Sequence, residues 1–271
     1  MNNLKGHLVL IGVAIVGVAL ILVAILLPPS EVPLPPDDEQ ASAQTSEGQD
    51  PTSERTPPAE PRAEAIDEPA HVRLLRAASA GDTGTIDGLL AMGVDVDSRA
   101  SQADVDAVAS PQLEVDATAL MLAARDGNEP TVRTLLEAGA DPNARSASGM
   151  TALMHAAQQG QTDVVVSLLG AGADPAMQTQ EGRTALMLAA RSGAHQPASL
   201  LLEAGADPDQ TDADGATALM HAAGAQQLEA ILVLLGGGAD VQAVDDRGRG
   251  AIDRAGESGP VADMLREAAG G

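Results

Sequence analysis

The chain has 271 residues, enough for a buried core and further segments. It contains no cysteine, which excludes disulfides, zinc–thiolate sites and cysteine nucleophiles. It also lacks Phe, Tyr and Trp, so its core is built from Leu, Ala, Val, Ile and Met, and it offers no stacking platform for single-stranded nucleic acid. A net charge of −24 repels DNA and anionic headgroups and favours a basic partner, unless the acids serve solubility alone.

Leu8 to Leu27 is a run of 20 residues without a charged or strongly polar side chain. As a helix it is about 30 Å long, the thickness of a bilayer's hydrocarbon layer. It exceeds the apolar core of a signal peptide, and no Ala-x-Ala site follows it. Residues 8–27 are therefore expected to be an uncleaved transmembrane anchor. Lys5 precedes the run and acids follow it from Glu31, which puts residues 1–7 in the cytoplasm and residues 28–271 outside. One Lys against 14 Arg fits a GC-rich bacterial genome, where outside means the periplasm.

Residues 28–70 are rich in Pro, Glu, Ser, Gln and Ala and carry a net charge of −9. Such a segment cannot bury enough apolar surface to fold and reads as a disordered linker. As a flexible coil it spans roughly 35–40 Å, and in polyproline form about 130 Å. It serves either as a plain spacer or to raise the effective concentration of a partner in the same membrane.

Residues 71–269 are organised by repetition. Thr-Ala-Leu-Met occurs at Thr118, Thr151, Thr184 and Thr217, always 33 residues apart. Gly-Ala-Asp keeps the same step at Gly139, Gly172, Gly205 and Gly238. Two phrases locked to one period indicate a repeat array. Within a unit, Thr151 is expected to cap a short first helix containing Leu153, Met154, Ala156 and Ala157, which Gly160 ends in a left-handed conformation. Val164 to Leu169 form the apolar stripe of a second helix, ended by Gly172; Pro130 and Pro197 fall in the first turn of the corresponding helices. A polar turn then leads to the next pair. The first unit, from His71, lacks the Thr-Ala-Leu opening, as a solvent-facing cap does. An insertion of 13 residues lies between about Ser98 and Glu114, either passive or on a binding face. The last unit is degenerate, and its Asp253 and Arg254 suit a cap turned to water.

The period, the turn–helix–helix reading, and Gly-x-Thr-Ala-Leu-x-x-Ala-Ala followed by Leu-Leu-x-x-Gly-Ala-Asp resemble the ankyrin repeat over residues 71–269. The resemblance implies an all-α solenoid of about six helix–turn–helix units, curved, with hairpin-like fingers on one side. It also implies binding of another protein through the finger tips and the concave face of the first helices. Carried over by phase, the candidate protein-binding residues are Ser146, Ser148, Met150, Gln158 and Gln159, then Thr179, Glu181, Arg183, Arg191 and Ser192. They continue with Asp212, Asp214, Ala216, Asp245, Asp246, Arg247 and Arg249. Two departures stand out. Met121, Met154, Met187 and Met220 occupy the place of a family His that ties repeats by hydrogen bonds, so a looser stack is expected. Gln226 occupies the place of a helix-ending Gly.

Nothing in the chain reads as catalytic. His155 and His221 share a phase two repeats apart, about 20 Å, too far to share a metal; they read as packing. Asp207, Asp209, Asp212, Asp214 and Gly215 resemble a calcium loop, but the frame fails at Gln210 and His221. Asp245 and Asp246 are adjacent acids with no nucleophile beside them. No phosphate loop, dinucleotide fingerprint or nucleophile elbow is present. The expectation is a membrane-tethered interaction scaffold with no enzyme activity, cofactor or metal, and with an acidic face for a basic protein; the alternative is an immunity or inhibitor protein that neutralises a basic toxin or enzyme.

Overall fold

A computed structural model describes residues 68–108 and 114–270. The run Leu8–Leu27, residues 1–7, and the acidic segment up to residue 67 lie outside the described residues. Among the described residues there is no β-strand, and no helix is long and apolar enough to cross a membrane.

The described residues form six helix pairs and one single helix. The pairs are α1 Ala70–Ala80 with α2 Thr83–Ala91, α4 Ala119–Asp126 with α5 Glu129–Glu137, and α6 Ala152–Gln159 with α7 Thr162–Gly170. They continue with α8 Ala185–Ser192 and α9 His195–Glu203, α10 Ala218–Gly224 and α11 Leu228–Gly236, and α12 Ala251–Ala255 and α13 Pro260–Gly270. The single helix, α3 Gln102–Val108, sits in the insertion. First helices pack in chain order, α1 on α4, α4 on α6, α6 on α8, α8 on α10 and α10 on α12. Second helices follow the same order from α2 to α11, and each pair closes on itself. A unit therefore hides its apolar side only by lying between two others.

Local chemistry sets each boundary. The hydroxyls of Thr118, Thr151 and Thr184 accept from the backbone N–H groups of Met121, Met154 and Met187 at 3.3–3.4 Å. Thr217 departs from this: its hydroxyl is buried without a partner. Gly127, Gly160 and Gly193 end first helices at φ of 75–80°. Gln226 takes that left-handed position at φ 59°, and its Nε2 donates to the carbonyls of Ala223 and Ala255, the second in the next unit. Asp82 caps α2 through the Thr85 amide, and Pro130 lies in the first turn of α5. In the last unit Asp253 is exposed, while Arg254, expected to face water with it, turns inward onto Asp245.

The core is a seam of small and aliphatic residues. Ala123, Ala124, Ala156, Ala157, Ala189, Ala190, Ala222 and Ala223 have no exposed surface, because a first helix is pressed on both sides. Met121, Met154, Met187 and Met220 are buried in the same seam, so the position brings packing and no hydrogen bond. The side-chain ties between units run elsewhere. Arg99 donates to the carbonyl of Arg145, Arg145 to that of Gln178, and Gln178 to that of Thr211, each one unit on. Asp97, Asn143 and Asp209 accept from the backbone N–H groups of Asp141, Asp174 and Asp240 in the following unit.

The glycines divide by backbone conformation, and this has a measurable consequence. At Gly182, with φ 75°, a Cβ meets the Ala213 amide nitrogen at 2.7 Å. At Gly224, which is helical, a Cβ meets only the Arg254 Cβ at 3.9 Å. Gly182→Ala is expected to destabilise the fold by about 2 kcal/mol. Gly224→Ala is expected to stabilise it by up to about 1 kcal/mol. Urea unfolding followed by circular dichroism distinguishes these opposite signs, and equal effects contradict the assignment.

Candidate protein-binding surface

Four fingers are tight hairpins, each around an anchor residue with a left-handed glycine three positions on. The anchors are Ser146, Thr179, Asp212 and Asp245, followed by Gly149, Gly182, Gly215 and Gly248 at φ of 73–82°. The glycine N–H donates to the anchor carbonyl at 2.8–3.0 Å, and the anchor N–H donates to the carbonyl of Met150, Arg183, Ala216 or Arg249. The anchor side chain accepts from the N–H four residues on, at 2.8–3.2 Å in all four fingers. Polar anchors are therefore a folding requirement of the turn.

Neighbouring fingers touch through their backbones. Ala147 donates to Val115, Gln180 to Ser148, Ala213 to Glu181 and Asp246 to Asp214, at 3.0–3.1 Å. Glycine at the tip permits this approach. In the first finger Asp116 takes the left-handed position at φ 62°. The insertion extends that finger: the Ala100 N–H donates to the Ala117 carbonyl, and Asp104 at the start of α3 bonds Ser101 and His71.

The predicted contact residues thus separate into two sets. Ser146, Met150, Thr179, Ala216 and Asp245 are buried, and Asp212 is nearly so; these serve the turns and the seam, which takes their side chains out of a contact surface. Ser148 and Arg183 are half-buried, with Ser148 bonded to Glu114 and Arg183 to Glu181. Gln158, Gln159, Glu181, Arg191, Ser192, Asp214, Asp246, Arg247 and Arg249 are exposed and form the available surface. The spacing of a Ser, Thr or Asp three residues before a Gly was the signal that separates anchor from tip.

Anchors also face the first helices, a relation that residue phase alone did not reveal. Asp212 Oδ2 lies 2.7 Å from Nε2 of His221, nine residues on. Asp245 Oδ2 accepts from Arg254, again nine residues on, at 2.7 Å, and from Arg249 at 2.9 Å. The backbone N–H of Arg249 and the two guanidiniums hold the Asp245 carboxyl far below the usual carboxylate range. His155 sits at the same phase behind Ser146. Burial holds its imidazole below the ordinary 6.5; the nearby Glu114 and Asp126 act in the opposite sense, and Arg125 adds to the lowering. His221 is lowered by burial as well, against the pull of Asp212.

The acids that resembled a calcium loop are occupied by the backbone. Asp207 accepts from the Asp209 amide, Asp209 from Asp240, and Asp212 from Asp214 and Ala216. The other Gly-Ala-Asp acids, Asp141, Asp174 and Asp240, make the same two-residue turn. Among the described residues no group of three or more His, Asp or Glu is placed to hold a metal ion.

The depressed His155 pKa has a definite sign for stability. The unfolded chain takes up a proton below about pH 6.5 and the folded chain resists it, so stability falls as pH drops through that value. Leu122 and Leu188 fill the phase elsewhere. His155→Leu is expected to raise the melting temperature, and the gain widens by about 2–4 °C between pH 8 and pH 5.5. A constant difference across that range contradicts a neutral buried imidazole.

A family model described as "Ankyrin repeats (3 copies)" matches residues 74–179 and 153–245, more than half of the chain. No curated protein matches. The helix pairs, their packing in chain order and the linked fingers agree with that match. The chain belongs to the ankyrin-repeat family, whose repeats form a protein–protein interaction domain.

Proposed function

We propose that this protein is a membrane-tethered scaffold that holds another protein along its finger tips and first helices. The observation that carries this reading is the division within each finger. Anchors are buried and bonded to the turn, while Glu181, Asp214 and Asp246 stand exposed on fingers linked one to the next. A row fixed in this way presents charge without first having to be ordered, which lowers the entropic cost of binding. Its acidic tips suit a basic partner, and steering by the −16 net charge of residues 71–271 speeds the encounter. The tether reading draws on the apolar run Leu8–Leu27 with Lys5 before it, and it places the repeats outside the cytoplasm, in the periplasm of a bacterium. The protein acts by binding and not by catalysis, for its clustered acids are spent on turn amides.

The same charge supports a second reading, an immunity or inhibitor protein that neutralises a basic toxin or enzyme. A gene for a basic secreted enzyme beside the gene for this chain favours it, and a neighbourhood without one counts against it.

In-cell photo-crosslinking of the full chain, recovered from washed membranes, tests the scaffold. Cross-linkers at Asp214 or Asp246 are expected to capture a partner that Val166 and Leu232, exposed on second helices, do not. Recovery of the chain in the soluble fraction sinks the tether. Equal capture from both faces, or capture by a cross-linker at one of these two positions that is unchanged when the other is replaced by Lys, sinks the acidic finger surface.

A further inference from the structure

The first helices present a row of long side chains that the fifth pair interrupts. At one phase stand Arg125, Gln158 and Arg191, then Gly224; at the next stand Asp126, Gln159 and Ser192, then Ala225. The gap opens a groove of about 340 Å³ lined by Arg191, Met220, His221, Gly224, Ala225 and Arg254. No carboxylate lines it, although residues 71–271 carry a net charge of −16.

The groove's two guanidiniums differ in how far they are already engaged. Arg191 is exposed and makes no hydrogen bond or ion pair with a described residue. Arg254 gives Nη2 to Asp245, and its Nε is buried without a protein partner. His221 is held from behind by Asp212. Among the charged groups that line the groove, His221 faces Asp212 and Arg254 is paired with Asp245, which leaves Arg191 as the lining cation without an acidic partner among the described residues.

We infer that this groove receives a single carboxylate side chain from an acidic segment of the partner protein, gripped between Arg191 and Arg254. Guanidinium forks match a carboxylate in two-point geometry. Ala225, which is half-buried, supplies apolar surface for the methylene stem. The volume lies at the low end of ligand sites, about 300–1,000 Å³, which suits a side chain with its flanking backbone. One cation without an acidic partner matches a carboxylate and not a phosphate dianion. Repulsion by the rest of the domain is confined by salt, whose screening length is about 8 Å at physiological strength. The partner thus meets basic and acidic ground together: its own basic patch at the finger tips and one acidic side chain in the groove. This inference rests on the scaffold reading above.

The chain's lack of aromatic residues makes the test direct, since a tryptophan in a probe peptide is the only strong fluorophore at 280 nm. The full chain in 150 mM NaCl is titrated into a peptide of Glu and Ser carrying one Trp, and into the same peptide with Gln for Glu. The Glu peptide is expected to bind, and the Gln peptide to bind at least about tenfold more weakly. Arg191→Gln and Gly224→Gln should each weaken the Glu peptide about tenfold, while Arg133→Gln on a second helix leaves it unchanged. Gly224→Gln fills the gap with the residue that Gln158 supplies in another repeat, and it is expected not to lower the melting temperature, so loss of binding there is not unfolding. Equal binding of the two peptides, no binding by the full chain, binding indifferent to both groove variants, or tighter binding of a phosphoserine peptide each overturns the inference. If the groove fails while finger-tip cross-links persist, the scaffold reading stands without it; if the cross-links fail as well, both fall.

Discussion

The structure depends on two surfaces being cleared of side chains so that one repeat can lie directly against the next. Along the helices, paired alanines such as Ala156 and Ala157 leave no exposed surface and no bulk between neighbours. Along the fingers, Gly182 and Gly215 let a backbone come within hydrogen-bonding range of the one that follows. A period of 33 residues is what keeps both clearances in register at once. A side chain in either place separates the units, and a separated unit has no core of its own.

This arrangement explains how the chain folds without a single aromatic residue. Leu, Met and Ala fill a narrow seam in which close approach substitutes for large side chains, since dispersion depends on contact distance as much as on size. It also explains why methionine is tolerated at Met121, Met154, Met187 and Met220. The hydrogen bonds that fix one unit to the next are moved out to Arg99, Arg145 and Gln178 and to the Asp97, Asn143 and Asp209 turns. Those ties are directional where the seam is not, so they set register while the seam supplies most of the stabilisation.

Periodicity made the helices, the threonine caps and the left-handed stops readable, because each follows from local rules that recur with the repeat. Even Gln226 was recognisable as a side chain in a glycine's place, although its bond to Ala255 required knowing what packs beside it. The surface was less legible. Phase put Ser146, Thr179, Asp212 and Asp245 at the fingers, but phase does not say whether a polar group turns outward or back into its own turn. The pairing of Asp212 with His221 and of Asp245 with Arg254 spans nine residues across a bend, a distance no helical or strand period contains. Likewise the net charge of −24 describes the far field and is silent about a gap beside Gly224 where arginines gather.

Amide hydrogen exchange at Ala147, Gln180, Ala213 and Asp246 addresses the linkage of adjacent fingers most directly, for these donors have no partner within their own finger. The account predicts protection approaching that of the helix amides in the same repeats, because opening one finger link requires the units to part. Exchange at the rate of freely exposed loop amides, with the helices still protected, would contradict it.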